Sequence, residues 1–132
     1  MSRIKYSSIK AAKQDRLPVV AVDLDGTLLE HTHPPEIGKP IAGMVEELNK
    51  LRAAGWIICI WTCRGDSPEL REHLDKYEVP YDYFNEGSFR FPDGSEKIQA
   101  DCYIEDKAIA FDGNTDGLAE KVMYFTPWHK QI

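Results

Sequence analysis

The chain has 132 residues, 42% of them hydrophobic and 29% charged, with a formal net charge of −6. That length suits one domain with its own core, and the acidic balance argues against a broad surface coating nucleic-acid phosphates. No stretch reaches the length of a membrane span or of a signal-peptide core, and three cysteines show no disulfide framework, so the protein reads as cytoplasmic with reduced thiols.

Residues 1–17 carry five basic side chains and one acid, a net +4 that leaves −10 for the rest. This polar arm has little periodicity; a loose helix over 7–14, an added strand or an unstructured arm all fit it. Residues 18–132 read as a single domain. Val19-Val20-Ala21-Val22 has the apolar, largely β-branched character of a buried strand. The strand delivers Asp23 and Asp25 into a turn at Gly26, which lets the backbone bend and leaves room for a ligand. Two neighbouring carboxylates repel each other unless a cation sits between them, and oxygen ligands of this kind suit magnesium before calcium.

Residues 28–39 hold His31, His33 and the pair Pro34-Pro35, which excludes a regular helix. The two histidines have no third ligand beside them and read as exposed loop residues rather than a metal pair. From Pro40 the period becomes helical, with Ile41, Met44, Val45, Leu48 and Leu51 on one face and Gly55 as the left-handed stop. Residues 56–61 form a second uncharged strand, ending in Thr62-Cys63-Arg64-Gly65. Cys59 and Cys63 are four apart, but no second pair completes a zinc site. Asp66 or Ser67 can cap a helix starting near Pro68, and Asp66 with Glu69 has capping-box spacing; Leu70, Leu74 and Tyr77 mark its inner face.

A short aromatic strand is expected over 81–84, a loop over 85–96, and a further strand over 100–104 that ends in Glu105-Asp106-Lys107. Beyond it lie an apolar piece (108–111), a turn (112–117) and a segment of open type (118–125). Asp112-Gly113-Asn114-Thr115-Asp116-Gly117 opens like a calcium loop, but its twelfth position is Met123 where a bidentate Glu is required, so it is a turn. Strands alternating with helices predict an α/β fold with a mostly parallel central sheet, whose ligands bind beyond the strand C-termini. Asp23, Asp25, Thr62, Arg64, Glu105 and Asp106 all fall at such ends.

Taken together, these features resemble the haloacid dehalogenase superfamily of phosphohydrolases. Its four motifs are matched in order by Val19 through Thr27, by Thr62 at the end of the next strand, by Lys97, and by Glu105-Asp106, over roughly residues 18–111. The resemblance implies a three-layer α/β/α Rossmann-like sandwich and a magnesium-dependent phosphomonoester hydrolase. It implies Asp23 as the nucleophile that forms an aspartyl-phosphate and Asp25 as general acid/base. Magnesium would be held by Asp23, the Asp25 backbone carbonyl, and Asp106 or Glu105, with Asp106 preferred as the direct ligand. Thr62 and Lys97 would bind phosphoryl oxygens, with Lys107 as the rival of Lys97. Arg64, at the crevice mouth, is a candidate phosphate or substrate contact, weighed against an ordinary surface ion pair.

Neither gap between motifs is long enough for a folded cap domain, so the crevice is expected to open to solvent and to admit a phosphorylated small molecule or macromolecule. Phe89, Arg90 and Phe91 in the later loop are candidates for stacking on a base or sugar. Three other classes are weighed. A signalling receiver domain would carry its acceptor Asp after a middle strand, not after the first. A catalytically silent binding or regulatory module would keep the fold, although no motif is visibly lost. A nucleic-acid-end phosphatase is permitted by the basic arm and disfavoured by the overall acidity. The physiological substrate and oligomeric state are not specified by the sequence.

Overall fold

A computed structural model describes residues 17–85 and 100–130. The basic arm through residue 16, Lys97 and the aromatic–basic group Phe89, Arg90 and Phe91 lie outside the described residues. The elements are β1 (Val19–Asp23), α1 (Met44–Ala53), β2 (Ile57–Trp61), α2 (Pro68–Lys76), β3 (Tyr83–Phe84), β4 (Cys102–Ile104), α3 (Leu118–Met123) and a final 3-10 turn (Trp128–Lys130). The four strands form one all-parallel sheet in the order β3-β2-β1-β4. The fold is the expected α/β, Rossmann-like type. No helix among the described residues is long and apolar enough to cross a membrane.

Strand alternation explains the core. Val20, Val22, Ile58 and Ile60 face one side, where Leu48 of α1, Leu70 and Leu74 of α2, and Phe84 bury against them. Full burial of a leucine such as Leu70 or Leu74 stabilises by about 2 kcal/mol. Val19, Ala21 and Cys59 are buried on the opposite face beside Trp61, Tyr83 and Tyr103. β1 is thus covered on both sides, which is why it reads as an unbroken apolar run. Among the described residues both crossover helices, α1 and α2, pack on the first face.

Two aspartates start the strands rather than serve the site. Asp101 Oδ2 accepts from the Val19 amide at 2.8 Å, and Asp82 Oδ2 accepts from the Ile58 amide at 2.8 Å while Oδ1 pairs with Arg52. Each fixes a strand N-terminus whose backbone donor would otherwise lack a partner.

Local boundaries differ from expectation where tertiary contacts intervene. α1 begins at Met44, not Pro40, because Pro40 bridges to Leu29 and the Ile41 amide donates to the Leu28 carbonyl at 3.0 Å. Those bonds close the loop over 30–39 and occupy what would have been the first helical turn. Gly55, at φ +98°, ends α1 as anticipated. Ser67 caps α2, its hydroxyl accepting from the Leu70 amide, whereas Asp66 instead pairs with Arg71. β3 and β4 are each two residues shorter than expected. Asn114 and Asp116 amides bond the side chains of Asp112 and Asn114, the turn expected there. α3, where the sequence left the type open, is helical and buries none of its residues.

Candidate active site

β1 lies inside the sheet, with β2 on one side and β4 on the other, so its C-terminal end opens into the place where the strand order reverses. The chain turns there through Gly26 at φ +82°, held by Leu29 N–H to the Leu24 carbonyl (2.8 Å) and Gly26 N–H to the Leu29 carbonyl (2.9 Å). Leu24, Leu28 and Leu29 are fully buried and root the turn in the core. Asp23 and Asp25 are only half-buried, and both line an open crevice of about 450 Å³. Thr62, Arg64, Glu105, Asp106 and Lys107 line the same crevice. The sheet register explains the convergence: Asp23 pairs with Trp61, one residue before Thr62, and Val22 with Ile104, one residue before Glu105.

Asp23 and Asp106 face each other closely enough to share a proton. Burial, followed by the hydrogen bond and charge of Asp106, pushes the Asp23 carboxyl up to about 7. The Leu24 amide and the Thr27 hydroxyl, which donates to Asp23 Oδ2 at 3.2 Å, pull the other way. For Asp106 burial also raises the value, but hydrogen bonds from His129 and Asp23 outweigh it and hold that carboxyl below the ordinary range. The two carboxyls are thus driven apart, Asp23 above the ordinary range and Asp106 below it. Glu105 is exposed at the crevice wall.

Asp25 is paired differently. Arg64 donates to both of its oxygens, Nε to Oδ2 at 2.7 Å and Nη2 to Oδ1 at 2.9 Å. The same Nη2 reaches the Thr32 hydroxyl and the Glu36 carbonyl, tying Asp25 to the 28–39 loop. Arg64 was a candidate phosphate or substrate contact; in this structure its guanidinium is occupied by Asp25 and the loop. Thr62 accepts from the Arg64 amide at 3.1 Å, and its own amide donates to Asn85 Oδ1 at 2.8 Å. A hydroxyl that accepts one bond still has its O–H to give, so Thr62 keeps a donor for a ligand in the crevice.

Several contributors carry no sequence signal of their own. Thr27 lies inside the motif but its bond to Asp23 depends on the turn geometry. The final turn folds back over the motif: Trp128 Nε1 donates to the Gly26 carbonyl at 2.7 Å, and His129 Nε2 meets Asp106 Oδ2 at 2.7 Å. A Cβ on Gly26 would lie 2.7 Å from Asp106 Oδ2 and 2.9 Å from His129 Nε2, so glycine is required by close approach as well as by φ. His31, expected to be exposed, is half-buried and stacks on His129 with centroids 4.3 Å apart; His33 is exposed. Partial desolvation, and then the neighbouring His129, His33 and Lys107, hold His31 below the ordinary imidazole value.

Among the described residues no group of three His, Cys, Asp or Glu side chains is arranged as a complete ligand cage. The donors that converge are carboxylate oxygens; burial first, and then the neighbouring Asp106, disfavour the charge on Asp23, and a small hard cation would favour it. Magnesium needs only one or two protein carboxylates beside water and phosphate oxygens, so the residues present fit it.

No family model matches the chain, and no curated protein matches it. A solved structure described as a conserved protein from Bacteroides thetaiotaomicron is similar, with 27% identity over 80% of this chain and 88% of that one, and a TM-score of 0.57. The likeness supports the α/β architecture; that description states no activity.

Proposed function

We propose that the protein is a magnesium-dependent phosphomonoester hydrolase of the haloacid dehalogenase type, working through an aspartyl-phosphate on Asp23. The observation that carries this reading is the half-buried Asp23–Asp106 pair at the end of the central strand, with Asp25 two residues on and Thr62 on the facing strand end. Asp23 and Asp106, with the Asp25 backbone carbonyl, would hold the cation, and Glu105 would act at one remove through water. When bound, magnesium supplies charge neutralisation between the carboxylates and the phosphate.

The chain's own residues account for the rest. A carboxylate oxygen of Asp23 attacks phosphorus and the bond to the ester oxygen breaks. Asp25 gives that oxygen its proton and the alcohol leaves. Water then attacks the aspartyl-phosphate, Asp25 takes the proton back, and inorganic phosphate leaves with Asp23 restored. Two bonds from Arg64 orient the Asp25 carboxylate for the base half of the cycle; to bring the proton of the acid half, one Asp25 oxygen must give up its bond to Arg64. Thr62, and Lys97 of the later segment, would hold the phosphoryl oxygens. Thr27 fixes the orientation of the Asp23 carboxyl. The substrate class is a phosphomonoester that enters an open crevice, and the protein is read as capless and cytoplasmic.

The test is a phosphatase screen of the wild type and Asp23→Asn on an aryl phosphate, nucleotides, sugar phosphates and a 3′-phosphorylated oligonucleotide, with and without a chelator. Loss of turnover in the variant and on chelation is expected. Activity that survives either one refutes the mechanism, and a wild type inert on every substrate favours the binding-module reading instead.

A further inference from the structure

Outside the motifs, the group that stands closest to the chemistry is contributed by the end of the chain. His129 and Asp106 are paired with side chains only 8% and 6% exposed, the most secluded ion-pairing contact of the described residues. A carboxylate oxygen can only accept, so the Nε2 facing it carries the hydrogen. The turn that holds His129 is itself fixed from two sides. Its neighbour Trp128 bonds the Gly26 carbonyl, and the His129 ring lies on His31 at an interplanar angle of 18°. His31 belongs to the loop that Arg64 ties to Asp25 through Thr32 and Glu36. The two acids of the motif and Asp106 are thereby linked into one ring of contacts, closed by His129.

From this geometry we infer that His129 is a positioning residue: through its hydrogen bond it sets the Asp106 carboxylate toward Asp23 and so builds the cation site. The inference rests on the reading of Asp23 and Asp106 as ligands. It adds a residue that no motif contains and a requirement for the last turn of the chain. A carboxylate freed of this donor can rotate about its own bond and turn a lone pair away from Asp23. Partners that orient a metal ligand from behind typically contribute tenfold to a hundredfold in metal affinity or rate.

Two substitutions separate hydrogen bonding from packing. His129→Phe keeps a ring to lie on His31 and removes the donor; His129→Gln gives up the ring and keeps an N–H in reach of Asp106. Full-length wild type and both variants are titrated with magnesium by calorimetry. Thermal unfolding in EDTA checks that each is folded, and kinetics on an aryl phosphate are measured at saturating magnesium. The expected result is at least a tenfold weaker magnesium affinity for His129→Phe, with kcat reduced about tenfold and KM within twofold of wild type, and recovery of most of the affinity in His129→Gln. Magnesium binding by His129→Phe as tight as wild type overturns the inference, as does a His129→Gln that binds as weakly as His129→Phe. A wild type that binds no magnesium and hydrolyses nothing overturns the proposed function along with it. A wild type that does both while His129→Phe matches it overturns this inference alone.

Discussion

Replacing Asp23 by Asn tests the electrostatics of the site without any substrate. In the native protein burial and Asp106 push the Asp23 carboxyl from its ordinary 3.8 up to about 7. Between pH 4 and 7 the folded chain therefore keeps a proton that the unfolded chain has lost, and stability falls as pH rises through that window. At about 1.4 kcal/mol per pH unit the full shift corresponds to roughly 4 kcal/mol; solvent screening of a half-buried group reduces this to about 2 kcal/mol. Asp106 is shifted the opposite way, below the ordinary carboxylate range, so it adds no loss of stability as the pH rises through this window. An amide at position 23 can still donate to Asp106 and accept from Thr27, but it has no charge to bury. Thermal unfolding in EDTA should thus show the wild type losing about 2 kcal/mol relative to Asp23→Asn between pH 4.5 and 7.5, roughly 6–8 °C in Tm for a chain of this size. Asp23→Asn, expected to abolish turnover, should be the more stable protein at pH 7.5, and millimolar magnesium should narrow the gap by stabilising only the wild type. Parallel stability curves for the two proteins from pH 4.5 to 7.5 would refute the raised Asp23 carboxyl.

Arg64→Ala leaves Asp25 without its bidentate partner in a setting where the two side chains are only 11% and 22% exposed; a loss of about 2–3 kcal/mol in denaturant unfolding and a fall in kcat of at least tenfold are expected, with Arg64→Lys recovering only part because one ammonium cannot span both oxygens. Gly26→Ala places a methyl 2.7 Å from Asp106 Oδ2 at φ +82°, so the backbone penalty of about 1–2 kcal/mol is joined by displacement of the Asp106–His129 pair, and magnesium affinity in calorimetry should fall at least tenfold.

The parts of the fold that were legible in the sequence are those decided locally or by burial. β1 reads as a continuous apolar run because it is covered on both faces, and Gly55 and Pro68 mark helix limits by backbone chemistry alone. The start of α1 was not legible because Pro40 and Ile41 are engaged by Leu29 and Leu28, partners supplied by another turn. Asp66 looked as good a cap as Ser67 until Arg71, one turn into the helix, paired with it.

The candidate site divides along the same line. Strand ends collect residues wherever they lie in the chain, so Asp23, Thr62, Glu105 and Asp106 could be assigned to one crevice from strand order alone. What each does once there depends on partners that spacing does not reveal. Arg64 has the charge of a phosphate contact, yet both Asp25 oxygens lie within its reach. Asp106 is distinguished from Glu105 by facing Asp23 and by a histidine 23 residues further on, in a turn whose sequence, Trp128-His129-Lys130, has no periodicity and no motif to announce it. Gly26 joins the two halves. In the sequence it marks a turn; in the fold it is also the gap through which Asp106 and His129 approach the motif, with its carbonyl held by Trp128. A residue without a side chain is thus where local backbone need and distant packing coincide, and the distant part becomes visible only when the last turn of the chain is in place.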